Sequence, residues 1–183
     1  MRLVIIGNGM AATRLIESLT ERAPGRFTIT VIGEEAEPAY NRIQLSPVLS
    51  GEKQAAATRF HDDAWYQARG VTVMTGQRVM AVDLAAREIR TAQRSVRWDE
   101  LVFATGSQPF IPPVAGCDGA NVFTFRTLKD VNTILAATGP VVVLGGGVLG
   151  VEAAAALRHS CDNVTIVHRG PWLMEQQLDQ QPI

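Results

Sequence analysis

The sequence is poor in the residue types that build reactive side-chain centres. Among its 183 residues are only two cysteines, Cys117 and Cys161, which are too far apart for a CxxC pair, and three scattered histidines. Neither a redox disulfide nor a metal site is therefore predicted. No GxSxG or HExxH pattern occurs, so we predict no side-chain nucleophile and no metal ligand. The scarcity of cysteine predicts a reducing, cytoplasmic setting.

Charge and hydropathy exclude two further classes of protein. The 17 Lys and Arg residues are balanced by 18 Asp and Glu residues, so the net charge of −1 offers no basic excess for nucleic-acid phosphates. No run of about 18 apolar residues occurs, which predicts that no segment crosses a membrane. Apolar residues still make up 46% of the chain, as expected of a globular protein with a packed core.

The chain does contain a pattern of strand, glycine turn, helix and strand, and this pattern occurs twice. The first copy comprises a strand over Arg2–Ile6, the turn GNGMAA, a helix to about Arg22 and a strand over Phe27–Ile32. The second comprises a strand over Val141–Leu144, the turn GGGVLG, a helix over Val151–His159 and a strand over Val164–Val167. Two such units predict an α/β fold with two Rossmann-like βαβ dinucleotide-binding domains.

Between the copies, residues 79–98 have the pattern of three short antiparallel strands, and Pro109, Pro112 and Pro113 predict an extended connection. We predict a first domain over residues 1–113, with this β-meander inside it, and a second over 114–183 that begins properly near 140. Because the chain ends shortly after the second strand of the second copy, we expect that domain to be truncated and the chain to be an N-terminal part of a longer protein.

The glycine turns predict where dinucleotides bind. A helix N-terminus offers unpaired N–H groups and partial positive charge to a pyrophosphate, and glycines let the backbone approach it. The first turn fits GxGxxG/A, and Glu34 follows as the acid expected about 20 residues later to accept the ribose hydroxyls. The second turn fits the same pattern. One copy would be weak evidence, whereas two predict two dinucleotides; a degenerate, non-binding second copy is the alternative.

Four blocks of this sequence resemble the flavoprotein reductases that bind FAD and NAD(P)H in tandem domains. They are VIIGNGMAA at 4–12, AYNRIQLSPVLSGE at 39–52, LVFATGSQPFIPP at 101–113 and VVVLGGGVLGVEAAAAL at 141–157. Within the family, the chain is most similar to the flavin region of assimilatory nitrite reductase large subunits and to the related nitrate reductase flavin subunits. The AYNR block and the ending LMEQQLD at 173–179 favour this branch over the rubredoxin and ferredoxin reductases, which are also similar.

The resemblance implies an FAD-dependent NAD(P)H oxidoreductase. Electrons would pass from NAD(P)H through FAD to a protein-bound iron centre, in a downstream domain or a separate subunit, as part of nitrite or nitrate assimilation. An iron–sulfur cluster and sirohaem would belong only to a longer chain or a partner. Disulfide reductases of this fold carry cysteines near the flavin, but residues 41–50 contain none, so the acceptor would lie outside this chain. A rubredoxin or ferredoxin reductase, and a non-catalytic dinucleotide-binding fragment, stay open as alternatives.

The resemblance also implies which residues bind. FAD would be held by Gly7, Asn8, Gly9, Met10, Ala11, Ala12, Glu34, Glu35, Arg42, Leu45, Ser46, Val79, Ala104, Thr105, Gly106 and Arg126. NAD(P)H would be held by Gly145, Gly146, Gly147, Val148, Leu149, Gly150, Glu152, His168 and Arg169. Arg42 would stabilise negative charge on the reduced flavin and Glu152 would lie near the nicotinamide, unless each is an ordinary surface residue.

Two further expectations concern cofactor binding. His168 stands where the family usually has a glutamate, and Arg169 follows it; a donating and a cationic group there predict that NADPH is accepted at least as well as NADH. The alternative is that both are exposed polar residues with no role. Family members close the flavin domain with a segment that follows the second glycine turn, so the isolated chain is expected to hold FAD weakly.

Overall fold

The computed structural model describes residues 1–179, which divide into two compact units. Unit 1 comprises Met1–Asn41 and Arg59–Gln108, and unit 2 comprises Arg42–Thr58 and the chain from Pro109 onward. The division follows how the chain packs, not where a cofactor binds, so the domain bounds given above stay predictions. Across residues 1–179, no helix combines the length and the apolar character needed to cross a membrane.

Nine strands and five helices make up the described chain. The strands are β1 (Arg2–Ile6), β2 (Thr28–Ile32), β3 (Val71–Met74), β4 (Val79–Asp83), β5 (Glu88–Thr91), β6 (Ser95–Arg97), β7 (Glu100–Phe103), β8 (Val141–Leu144) and β9 (Val164–Val167). The helices are α1 (Met10–Arg22), α2 (Leu45–Leu49), α3 (Asp63–Ala68), α4 (Leu128–Ala136) and α5 (Val148–Leu157). Two 3₁₀ turns, Arg42–Gln44 and Ala55–Thr58, flank α2.

Unit 1 is built on a parallel four-stranded sheet in the order β3-β2-β1-β7. The central strand β1 is buried on both faces from Leu3 to Ile6, which explains why its sequence is a continuous apolar run. Arg2 and Asp99 close the start of the β1–β7 pair: the Arg2 backbone N–H and its Nη2 each donate to the Asp99 carboxylate at 2.7 Å. These hydrogen bonds hold the pKa of the Asp99 carboxyl at about 2.

Each face of this sheet is covered by a different layer. On one face, α1 and α3 bury Ile16 and Tyr66 against β1 and β2. On the other, the antiparallel meander β4-β5-β6 places the fully buried Ile89 against Val4 and Ile32. The sheet is therefore covered on both faces, as a parallel sheet requires, and the carboxyl ends of β1 and β2 form one edge of unit 1.

Unit 2 contains the second parallel pair, β8 and β9, with α5 packed on both strands. Helix α2 packs against α4 and α5. Helix α4 begins with a capping box, in which the Thr127 side chain accepts from the Asp130 N–H and the Asp130 carboxylate accepts from the Thr127 N–H. The other face of the β8–β9 pair leaves Val142, Leu144 and Val167 exposed.

The predicted elements are present, with one shift that bears on function. Helix α5 begins at Val148, inside the glycine turn, and not at Val151 as the sequence predicted. Gly147 is its N-cap, so the last three residues of the turn form the first helical turn. The first copy behaves in the same way, with Gly9 as the N-cap of α1. In both copies, the N–H groups at the start of the helix therefore belong to the glycine motif itself.

Candidate dinucleotide-binding sites

The first glycine turn, residues 7–12, is closed by contacts with two strands. Gly7 N–H donates to Ile32 at 2.8 Å, and the neighbouring Ala104 N–H donates to Ile6 at 2.7 Å. Gly7 has a φ of +109°, and a Cβ on it would collide with the carbonyl of Ala104. The structure thus brings the chain that follows β7 directly beside the turn, and the predicted contact of residues 104–106 with FAD stays a prediction. Thr105 and Gly106 are exposed there.

The rest of the first turn leaves room and polar groups for a ligand. Nothing lies within 4 Å of the position that a Cβ on Gly9 would take. Both polar atoms of the Asn8 amide are buried and find no hydrogen-bond partner among residues 1–179. Ala12 is fully buried under the sheet, whereas Met10 and Ala11 are exposed. Open space beside a backbone turn, with an unpartnered amide next to it, fits a bound polar group such as a pyrophosphate.

The helices that start at the two glycine turns lack the caps that other helices of the chain have. Neither α1 nor α5 has a side chain that accepts from its first N–H groups, and neither has an acidic residue in its first turn. By contrast, Asp62 caps α3 by accepting from Trp65, and α4 has its capping box. Helix α2, which has only five residues, also lacks a side-chain cap, but α1 and α5 are the uncapped helices that begin in the glycine turns predicted to bind an anion.

Two acidic residues, Glu34 and Glu35, follow β2, and their side chains have different surroundings. Glu35 accepts a hydrogen bond of 2.6 Å from the hydroxyl of the buried Tyr40. Glu34 is more open: 59% of its side chain is exposed, and its carboxylate lies 3.4 Å from Nη1 of Arg78, which is itself exposed. Such an exposed pair contributes little, so the Glu34 carboxylate can turn to a ligand at this edge of the sheet. Glu34 is the better candidate for the ribose.

Val79 is the first residue of β4, the strand with which the meander of unit 1 begins. It pairs with Thr91, and the register shifts between Val79 and Ala81, so Met80 bulges out of the ladder and is 68% exposed. A bulge of this kind changes which backbone groups face outward. The predicted backbone contact of Val79 with adenine is compatible with this irregularity and stays a prediction.

The second glycine turn, residues 145–150, repeats the backbone geometry of the first. Gly145 N–H donates to Val167 at 2.8 Å, just as Gly7 N–H donates to Ile32. Gly145 has a φ of +119°, and no atom lies within 4 Å of where a Cβ on Gly147 would stand. A Cβ on Gly150 would collide with the carbonyl of Gly145. Gly147, Val148 and Leu149 are exposed, so this turn also presents an open face.

The hydrogen bonds align the two copies residue by residue. Since Ile32 and Val167 accept from the first glycine of each turn, His168 matches Gly33 and Arg169 matches Glu34. His168 turns inward: its Nδ1 accepts from the Gly146 N–H at 3.1 Å, and only 19% of its side chain is exposed. The proton of the neutral ring then lies on Nε2. Arg169, the next residue, is exposed.

Four of the five remaining predicted residues of unit 2 form two hydrogen-bonded pairs. Ser46 in α2 donates from Oγ to the Glu152 carboxylate in α5 at 3.2 Å. Arg42 donates from Nη1 to the carbonyl of Arg126 at 2.9 Å. Leu45 is buried. Ser46 and Glu152 were assigned to the flavin and to the nicotinamide respectively, and the structure joins them directly. Their contacts with either cofactor stay predictions.

Glu175, which lies near the second turn, was not predicted from the sequence. The Glu175 carboxylate lies 3.8 Å from Nε2 of His168, and the preceding residue, Met174, donates its N–H to the Gly146 carbonyl at 2.7 Å. Glu175 lies within LMEQQLD, but the spacing rule for dinucleotide sites looks for an acid at the strand end. Only the fold of the segment after β9 brings this acid back to the turn.

With this geometry established, comparison with known proteins identifies the family. The sequence matches the pyridine nucleotide-disulphide oxidoreductase family over residues 1–182. The chain belongs to this family. The predicted fold class, two Rossmann-like βαβ units in an α/β protein, is confirmed by a reductase of known structure. In the covalent putidaredoxin reductase–putidaredoxin complex, a chain of 28% identity matches with a TM-score of 0.80 over 96% of this chain and 44% of that one.

Similar curated proteins confirm the predicted branch. The chain is 42% identical over 182 residues to nitrite reductase (NAD(P)H) of Bacillus subtilis (strain 168), covering 97% of this chain and 23% of that protein. It is 38% identical over 183 residues to the assimilatory nitrate reductase electron transfer subunit of the same organism, covering 98% and 24%. The chain thus spans about a quarter of the length of these relatives.

Proposed function

We propose that this chain forms the dinucleotide-binding part of an NAD(P)H-dependent flavoprotein reductase. The first glycine turn would hold FAD and the second would hold NAD(P)H. The observation that carries the proposal is the pair of uncapped helices, α1 and α5, each beginning in a glycine turn of the same hydrogen-bond geometry. When bound, FAD supplies the redox chemistry, taking a hydride from NAD(P)H and releasing electrons singly.

In unit 1, the backbone of residues 9–12 would bind the FAD pyrophosphate with the N–H groups that α1 leaves open. Asn8 offers a buried amide that needs a partner, and Glu34 offers a carboxylate to the ribose hydroxyls. Residues 104–106, held beside Gly7, would line the same turn. On this proposal each of these residues binds or positions FAD, and none transfers a proton.

In unit 2, the backbone of residues 147–150 would bind the NAD(P)H pyrophosphate, while His168 holds the turn in shape through the Gly146 N–H. Glu152 would approach the nicotinamide from α5, with Ser46 fixing its carboxylate. Arg42, Leu45 and Arg126 are proposed to serve the flavin side. On this proposal the binding domains are residues 1–113 and 114–183.

Electrons would leave to a protein-bound iron centre, in nitrite or nitrate assimilation in the cytoplasm. The names of the relatives support this direction, since one is a nitrite reductase and another an electron transfer subunit. The lack of cysteine in residues 41–50 argues against a resident disulfide acceptor. An iron–sulfur cluster and sirohaem would be supplied by a longer chain or by a partner.

A carrier reductase is the second candidate. The observation in its favour is the match to a reductase solved in covalent complex with putidaredoxin. The two candidates share the NAD(P)H and FAD half of the reaction and differ only in the acceptor. Reduction of rubredoxin or ferredoxin, without nitrite reduction by the complete protein, would decide for the carrier reductase.

Two matched substitutions test the assignment of the turns. Gly9 and Gly147 have extended backbones with φ of −113° and −79°, and a Cβ on either meets no atom within 4 Å, so the Cβ of a valine fits at both positions. We expect Gly9→Val to weaken FAD binding by about tenfold or more, and Gly147→Val to leave FAD bound but weaken NADH to the same degree. Flavin absorbance after gel filtration and NADH titration, both on the complete protein, measure the two losses, because the isolated chain is expected to hold FAD weakly.

The two variants are controls for each other. Equal loss of both dinucleotides in both variants, with unchanged melting temperature, would contradict separate FAD and NAD(P)H turns. Binding of neither dinucleotide by the complete parent protein would contradict the proposed function as a whole.

Glu34→Gln tests the ribose contact. Loss of a charge-assisted hydrogen bond should weaken FAD by about 1.5–3 kcal/mol, measured by fluorescence titration of the apoprotein. The matched control is Glu35→Gln, which alters the contact with Tyr40 and should lower the melting temperature more than the FAD affinity. If Glu35→Gln costs more FAD affinity than Glu34→Gln, the assignment of the two acids is reversed.

A further inference from the structure

The second βαβ copy lacks an acid where the first has one. In the aligned hydrogen-bond register, Arg169 occupies the position of Glu34, and His168 occupies that of Gly33. His168 is hydrogen-bonded to the second glycine turn, because its Nδ1 accepts from the Gly146 N–H. The sequence-based expectation of NADPH binding has Arg169 pairing with a 2′-phosphate and His168 donating to it. In the structure, Nδ1 of His168 is occupied by the Gly146 N–H, and its Nε2 faces Glu175.

A carboxylate nevertheless lies at the end of β9. Oε1 of Glu175 is 3.8 Å from Nε2 of His168, so the proton-bearing side of this ring faces an acid. A Cβ on Gly170 would collide with Oε2 of Glu175, which places the carboxylate directly over the backbone that follows Arg169. About 34% of the Glu175 side chain is exposed, so a ligand can reach it.

The position of Glu175 is fixed by the glycine turn. Met174 donates its N–H to the Gly146 carbonyl at 2.7 Å, and Leu173 packs so closely on Gly146 that a Cβ there would collide with it. Gly146 is therefore held from two sides, by His168 and by the segment that carries Glu175. The carboxylate is tied to the same backbone that would bind the coenzyme pyrophosphate.

We propose that Glu175 supplies, from a later part of the chain, the carboxylate that faces the adenosine ribose of the coenzyme, and that it selects NADH over NADPH. The inference rests on the proposed binding of NAD(P)H at the second glycine turn. A carboxylate accepts hydrogen bonds from ribose hydroxyls and repels the charge of a 2′-phosphate. Arg169 offsets part of this repulsion but stands on an exposed, solvent-screened position.

The test is equilibrium titration of the purified protein with NADH and with NADPH. We expect the parent protein to bind NADH more tightly than NADPH. Glu175→Gln should reduce the ratio of NADH affinity to NADPH affinity by about tenfold, mainly through tighter NADPH binding. Asp179→Asn is the matched control, since it removes the same charge from the same segment and should leave the ratio unchanged. Arg169→Ala should weaken NADPH binding relative to the parent protein and leave NADH binding nearly unaltered.

A second variant keeps the charge and moves it. Gly170→Ala should displace the Glu175 carboxylate and shift the ratio in the same direction as Glu175→Gln. Because its Cβ would also collide with Nε2 of His168, which holds the glycine turn, some loss of affinity for both coenzymes is expected, and the melting temperature is recorded for both variants. An unchanged ratio in Glu175→Gln, or a parent that prefers NADPH through Arg169, would overturn this inference and leave the proposed function intact. Failure of the parent to bind either coenzyme would instead overturn the proposed function and this inference with it.

Discussion

Gly7→Ala is expected to destabilise unit 1 by about 3 kcal/mol or more, because it combines backbone strain with a collision. Gly7 has a φ of +109°, which side chains rarely adopt, and its Cβ would strike the carbonyl of Ala104. That carbonyl cannot move away easily, since the Ala104 N–H is bonded to Ile6 at 2.7 Å. Urea unfolding measures the loss.

Gly9→Ala is the control from the same turn. Gly9 has a φ of −113° and no atom near its would-be Cβ, so this change should cost stability only within about 1 kcal/mol. A similar loss of stability in both variants would show that helix propensity, and not the collision with Ala104, explains why Gly7 cannot be replaced. The two glycines of one motif thus have separable roles: Gly7 joins two strands, and Gly9 leaves space.

Local patterns predicted the fold because its elements are short and strongly apolar. The run Arg2–Ile6 is buried on both faces, and such a strand reads as an apolar run whatever the rest of the fold. The start of α5 was less predictable, since glycines in a helical turn lower its propensity and hide the true beginning at Val148.

Non-local packing decided what the sequence could not show. Residues Arg42–Thr58 belong with unit 2, although they lie in the chain between parts of unit 1. The inward orientation of His168 depends on the Gly146 N–H, and the approach of Glu175 depends on a backbone bond from Met174 to the same residue. None of these contacts has a spacing rule, because each depends on how a loop returns to a turn.

The third position of the glycine motif differs between the copies, and this difference has a cause. In the first copy it is Ala12, whose side chain is fully buried in the core of unit 1. In the second it is Gly150, where a Cβ would collide with the carbonyl of Gly145. The backbone of the second turn therefore passes closer to its own helix and tolerates no side chain.

Gly150→Ala is accordingly expected to open the second turn. The Gly145 carbonyl must shift, which should cost about 2 kcal/mol of stability and weaken NADH binding by about tenfold or more, since the shifted backbone carries the pyrophosphate contacts. Thermal unfolding and NADH titration measure the two effects, with flavin content as the internal reference for unit 1. The reciprocal change, Ala12→Gly, removes a buried methyl group without a collision, so it should cost about 1 kcal/mol and leave NADH binding unaltered. If the NADH affinity is unchanged in Gly150→Ala, coenzyme binding does not depend on the close approach of the second glycine turn to α5.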